Sequence, residues 1–195
     1  MPAVEIYKGM QDHANTSGET LEKENRWKPP AADVLKINSD GAFHMIERSR
    51  AWGFVVRDSD GYGVLAGLGR LNAVHDALSA EGEACLAALQ AATEAGISRV
   101  IVESDSTNLL TAIQTPQFDQ APGGVIFREI RELLSLQFTF VLFNRVSRSC
   151  NQRAHELAQA GLVRDPGEPT VWFDPLPNFV RPWLDRDLAG LEVPE

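Results

Sequence analysis

The chain has 195 residues, 44% hydrophobic and 23% charged, a make-up that supports one globular core of moderate size. Its net charge of −9 weakens, without excluding, a nucleic-acid partner. No run approaches the roughly 18–20 apolar residues that cross a bilayer, and the start, Met1-Pro2-Ala3-Val4-Glu5, has no apolar h-region, so nothing points to a membrane.

The acidity is uneven. Residues 1–33 carry four basic and six acidic side chains and residues 165–195 two and seven, which leaves the middle, 34–164, near neutral and able to hold a local basic face. Cys85 and Cys150 both lie in stretches that read as helix. That favours a reduced intracellular protein over a disulfide-stapled secreted one, with nucleus and cytoplasm equally open.

Residues 1–33 lack helical or strand periodicity and end in Lys28-Pro29-Pro30-Ala31-Ala32, which reads as a flexible leader or linker. Val34–Asn38 is a short apolar run, with a turn expected at Asp40-Gly41. Ala51–Arg57 reads as a second strand, Asp58-Ser59-Asp60-Gly61 as a turn, and about 62–71 as a third strand. Such spacing predicts an antiparallel meander. Ser79 is placed to cap a helix whose stripe runs through Leu78, Cys85, Leu86, Leu89 and an alanine-rich stretch to Ala95, with Gly96 as its stop. Val100–Glu103 is a short strand. Helices are expected over about 106–114 and 124–135, a buried strand over 138–143, and a last helix over about 151–163. The order β-β-β-α-β-α-α-β-α predicts an α/β fold with a mixed sheet and helices on both faces. Residues 165–195 are acidic but carry Trp172, Phe173, Phe179 and Trp183, and aromatics at that density are expected to pack on the domain.

Three carboxylates stand where surface solubility explains them poorly: Asp40 after the first strand, Glu81 in the first turn of the first helix, and Asp105 after the fourth strand. Each has an ordinary reading on its own, as turn, helix-dipole partner and helix cap. Together they fit an open sheet in which ligands collect beyond the carboxyl ends of parallel strands. Clustered carboxylates repel unless a cation compensates, and hard oxygen ligands suit Mg²⁺ or Mn²⁺. His13, His44 and His75 form no ligand spacing, and Gly61-Tyr62-Gly63 reads as a tight turn rather than a phosphate loop.

The stretches Lys36–Ala42, Ala80–Ala84, Val102–Ser106 and Arg148–Ala158 resemble, in order and over about residues 34–164, the ribonuclease H-type domain of plant reverse-transcriptase-like proteins, a family derived from non-LTR retroelements. The resemblance implies a ribonuclease H-like fold, a five-stranded mixed sheet with three antiparallel and two parallel strands. It also implies Mg²⁺-dependent cleavage of the RNA strand of RNA–DNA hybrids. Asp40, Glu81 and Asp105 match the family's core metal-binding positions, making them catalytic as well. His155 matches a fourth position that is usually Asp, and Arg145 stands where relatives usually have His. An imidazole adds no negative charge at neutral pH, so a second ion would be held more weakly. Arg145, Arg148 and Arg153, with Asn151 beside them, form a candidate nucleic-acid contact at the last strand–helix junction, the alternative being a basic edge that pairs with the acidic tail. Two further readings stay open: a domesticated module that binds nucleic acid with little or no turnover, and a protein-interaction domain with a vestigial site.

Overall fold

The structure is a computed structural model and describes residues 6–8, 26–46 and 49–189. Most of the expected leader, including His13, and the last six residues of the tail lie outside the described residues. A seven-stranded mixed sheet forms the middle layer: β1 (Ile6–Lys8), β2 (Leu35–His44), β3 (Ser49–Arg57), β4 (Gly63–Arg70), β5 (Arg99–Ser104), β6 (Phe140–Arg145) and β7 (Thr170–Phe173), in the order β1-β6-β5-β2-β3-β4-β7. The sheet is therefore wider than the expected five strands. Its central five are the antiparallel meander β2-β3-β4 with β5 and β6 parallel beside it, and β1 and β7 extend the two edges.

Helices α1 (Ala77–Glu94), α2 (Thr107–Gln114) and α3 (Gly124–Gln137) cover one face, while α4 (Gln152–Gly161) and α5 (Arg181–Leu188) cover the other. The central strand β3 is buried from Ala51 to Arg57 because both its faces are covered, which is why it reads as one apolar run rather than an alternation. Large side chains such as Phe54, Leu89, Phe127 and Ile130 fill the first interface, and Val55, Leu68, Leu157, Leu176, Val180 and Leu184 the second. No described helix is long and apolar enough to cross a membrane.

Two local expectations fail for physical reasons. Asp40-Gly41 is no turn: β2 runs straight through it and turns only at Met45-Ile46, because both residues are held in a nine-residue antiparallel register with β3. The cap of α1 is Asp76, whose carboxylate accepts from the Ser79 amide at 2.7 Å and the Ser79 hydroxyl at 2.7 Å, so Ser79 is inside the helix and Glu81 sits in its second turn. Gly96 does end α1, in the left-handed region at φ 74, with Ile97 N–H donating to the Ala92 carbonyl.

The ends of the domain meet over a buried charge. Arg57, at the end of the buried β3, is fully buried; it donates to Asp187 of α5 at 2.6 Å and to Asn38 at 2.9 Å. Its guanidinium stacks 3.4 Å from the ring centroid of Trp27, itself only 3% exposed. Burial pushes the Arg57 pKa down to about 10, against the pull of Asp187, so it stays cationic at neutral pH. Asp187 also accepts from Arg153 of α4 at 3.0 Å.

Candidate active site

The parallel pairing of β2 with β5 ends at Asn38 opposite Glu103. Asp40 and Asp105 each lie two residues beyond that last pair, so the equal offset carries both to the open edge of the sheet. The third carboxylate comes from the opposite layer. A Cβ on Gly41 would stand 2.4 Å from the Ala80 carbonyl carbon and 2.5 Å from the Glu81 nitrogen, a separation that only glycine permits. Gly41 thus lets α1 lie against β2 beside Asp40, and the small buried residues Ala80, Gly82 and Ala84 keep the helix close along its length.

The fourth group comes from α4 on the far face. His155 Nδ1 is 2.8 Å from Asp40 Oδ2, within hydrogen-bond distance of the carboxylate. Asn151, buried just before α4, donates from Nδ2 to Asp105 Oδ1 at 3.0 Å and to the Ser39 carbonyl at 3.0 Å. One amide therefore ties Asp105 to the strand that carries Asp40.

Burial raises the Asp40 carboxyl above its ordinary value despite the opposing bond from His155, and Asp105 raises it further. Glu81 is pushed up to about 7, first by burial and then by Asp40 and Asp105, while Ser106 opposes the shift. Glu81 Oε2 is buried and has no hydrogen-bond partner among the described residues. Mutually destabilised carboxylates with one orphaned buried oxygen are what a hard cation would relieve, so the donor set fits Mg²⁺ or Mn²⁺. The side chains do not form a closed cage: among the described residues, no three His, Cys, Asp or Glu groups are gathered so as to hold a metal ion as they stand. An ion that keeps several waters and takes oxygens from a phosphate needs no such cage.

Folded Glu81 binds its proton more tightly than the ordinary value of 4.5, so the chain takes up a proton on folding between pH 4.5 and about 7. Stability should fall as pH rises through that window, by about 2 kcal/mol after allowance for partial exposure. Melting curves in chelator should show the decline, Glu81→Gln should remove most of it, and Mg²⁺ should raise the melting temperature of the wild type at pH 8 but not of the variant.

The structure gathers Asp40, Glu81, Asp105 and His155 at one edge. It divides the candidate nucleic-acid residues. Arg148 is exposed and close enough to lower the Asp40 carboxyl, and Arg145 is exposed at the end of β6, opposite Ser104. Asn151, 1% exposed, cannot face a duplex and instead positions Asp105. Arg153 is held by Glu156 at 2.8 Å and by Asp187, which is the expected pairing of the basic edge with the acidic tail. Asp105 does not cap α2: the Ser106 hydroxyl accepts from Leu109 N–H, leaving the Asp105 carboxylate to the site. The sequence reading missed the parts of Gly41 and Ser106, although Asp-Gly after a strand and Asp-Ser before a helix both flag them.

The three-layer arrangement and its carboxylate edge define the ribonuclease H-like class. RNase H1 of the halophilic archaeon Halobacterium salinarum NRC-1 is 27% identical, with a TM-score of 0.61 over 66% of this chain and 97% of that one. The N-terminal RNase H domain of a Mycobacterium tuberculosis protein shares the fold at 21% identity and a TM-score of 0.61, covering 66% and 93%. LC11-RNase H1, isolated from compost by a metagenomic approach and solved in complex with an RNA/DNA hybrid, shares it at 20% identity and 0.60, covering 66% and 96%. The reverse transcriptase-like family model matches residues 38–161, and the chain belongs to that family. Comparison with curated proteins gives no match.

Proposed function

We propose that this protein is a metal-dependent endoribonuclease that hydrolyses the RNA strand of RNA–DNA hybrids. The observation that carries the reading is the convergence of Asp40, Glu81 and Asp105 at the open sheet edge, with raised Asp40 and Glu81 carboxyls and the orphaned Glu81 Oε2. Asp40, Glu81 and Asp105 would hold Mg²⁺ or Mn²⁺, which supplies Lewis-acid stabilisation of a phosphodiester and lowers the pKa of water. Asn151 fixes Asp105 by its amide. His155 orients Asp40 through Nδ1 and, with its ring neutral, would offer Nε2 as a proton acceptor at the same edge. Arg148 supplies positive charge beside the carboxylates, where a backbone phosphate would lie.

Strand-labelled hybrid, single-stranded RNA, double-stranded RNA and double-stranded DNA, each with Mg²⁺, Mn²⁺ or chelator, test the reading. The expected result is cutting of the RNA strand of the hybrid alone, with either ion. Cutting that survives chelator, or that ignores the DNA strand, contradicts it. His155→Asp should shift the Mg²⁺ concentration for half-maximal cleavage downward several-fold, because a carboxylate replaces the imidazole beside Asp40.

A second reading, a domesticated module that binds nucleic acid with little turnover, is favoured by one observation: Asp40 Oδ2 is engaged by His155 rather than held open. It predicts salt-dependent hybrid binding and no products with either ion.

A further inference from the structure

We propose that a cleft between the leader and the last strand binds the phosphodiester backbone of a nucleic-acid strand running past the carboxylate edge; the inference rests on the nucleic-acid reading above and extends it to residues outside the family-matched segment. The cleft, of about 340 Å³, is lined by Arg26, Trp27 and Lys28 from the leader, Lys36 of β2, Glu103 of β5, and Arg145 and Ser147 from the end of β6 and the loop after it.

Charge is the first argument. Lys28, Lys36 and Arg145 face one carboxylate, Glu103, in a chain whose net charge is −9. Glu103 is committed inside the network, to Lys36 at 2.6 Å and to Asn38 at 3.0 Å, and its charge also favours the buried Arg57 cation, so it leaves Lys28 and Arg145 unpaired. Lys28 and Arg145 are exposed and have no carboxylate partner among the described residues. A local concentration of positive charge on an acidic protein needs a polyanionic partner to explain it.

The cleft also lacks a surface for bases. Trp27, the aromatic residue among its lining, is buried. The indole is 3% exposed and covered on one face by Arg57, so it offers no surface on which a base could stack. The cleft therefore presents cations without a stacking platform, which is the chemistry of backbone recognition rather than base readout.

Position supplies the third. Arg145 lies opposite Ser104, one residue before Asp105, and the loop that follows it carries Arg148, which acts on Asp40. A strand leaving the carboxylates across that loop meets Arg148 first and the cleft next. The leader is in place because Trp27 is pinned by Arg57 and the Lys28 carbonyl accepts from Lys36 at 2.9 Å.

The test is binding of a labelled RNA–DNA hybrid to the full chain in chelator, across a range of salt, by wild type, Lys28→Glu/Arg145→Glu, and Arg181→Glu/Arg186→Glu as a control of equal charge change on α5. The cleft variant should lose about tenfold or more in affinity and roughly two units of salt slope, while the control stays within about twofold. Unchanged melting curves should accompany both, since all four side chains are exposed. Equal losses in the two variants, or none in the cleft variant while wild type binds, overturn the cleft and leave the hybrid reading standing. No hybrid binding by wild type overturns both. Hybrid displaced by millimolar inorganic phosphate, with no loss in the cleft variant's affinity for single strands, marks a small-anion site and also overturns the proposal.

Discussion

Asp187→Ala is expected to destabilise the folded chain by about 3–5 kcal/mol, the cost of leaving a buried cation without its partner. Arg57 is fully buried, and Asp187 at 2.6 Å is its carboxylate partner in the structure. The same substitution strips Arg153 of one of its two carboxylates. Ending the chain after residue 164 should do more. It removes Asp187 together with Leu176, Val180 and Leu184, which close the second apolar cluster over Val55, Leu68 and Leu157. Each such side chain contributes about 1.5–3 kcal/mol on burial, so the truncated chain should be insoluble or unfolded although it contains the whole family-matched segment, 38–161. Thermal or urea unfolding of Asp187→Ala, Asp187→Asn and the truncation measures this. A truncated chain that melts cooperatively near the wild-type temperature would show that residues 165–189 merely decorate the domain.

Gly41→Ala should lose both stability and activity. The added Cβ would lie 2.4–2.7 Å from backbone atoms of Ala80 and Glu81, and a helix backbone cannot swing aside as a flexible side chain can. Overpacking of this kind costs about 1–3 kcal/mol, and Gly41→Val should exceed that range. Relief requires α1 to move away from β2, which carries Glu81 away from Asp40. A displacement on the order of 1 Å at a reacting centre lowers rate by about a hundredfold. Gly96→Ala is the matched control. Its Cβ meets nothing within 4 Å, but φ is 74, so it should cost about 1 kcal/mol in stability and nothing in cleavage rate. Comparable rates for Gly41→Ala and wild type would separate Glu81 from the site.

The parts of this fold that were legible in the sequence share one property: their signals are local. The buried run Ala51–Arg57, the glycine stop at Gly96, the short strand before Asp105 and the helix expected over about 124–135, which runs on to Gln137, all follow from periodicity and punctuation. Asp40-Gly41 misled because the pair reads as a turn, while its glycine serves a contact with a helix forty residues on. β7 and α5 were hidden in a Pro- and Asp-rich stretch with no period of its own; they are ordered by β4 and by the cluster beneath them. The Arg57–Asp187 pair spans 130 residues and leaves no pattern in either neighbourhood. One hint was present: an arginine closing a fully apolar strand must find a carboxylate somewhere. At the site, the three carboxylates stood out because Asp40 and Asp105 read as following strands and Glu81 as opening a helix, although β2 continues through Asp40 and Glu81 lies in the second turn of α1; the inward role of Asn151 required the position of α4 over Ser39.

The central claim is that the carboxylate edge is a working hydrolytic site, and single-turnover cleavage of an RNA–DNA hybrid labelled on its RNA strand, by wild type and Asp40→Asn in Mg²⁺, tests it most directly. Asn is nearly isosteric with Asp and can still accept from His155, so the variant should fold as the wild type does. The account predicts RNA cleavage by wild type and a loss of at least about a thousandfold in the variant, as expected when a group that holds the charge-stabilising ion is removed. Equal rates in the two proteins, or no cleavage by well-folded wild type in Mg²⁺ or Mn²⁺, would contradict it.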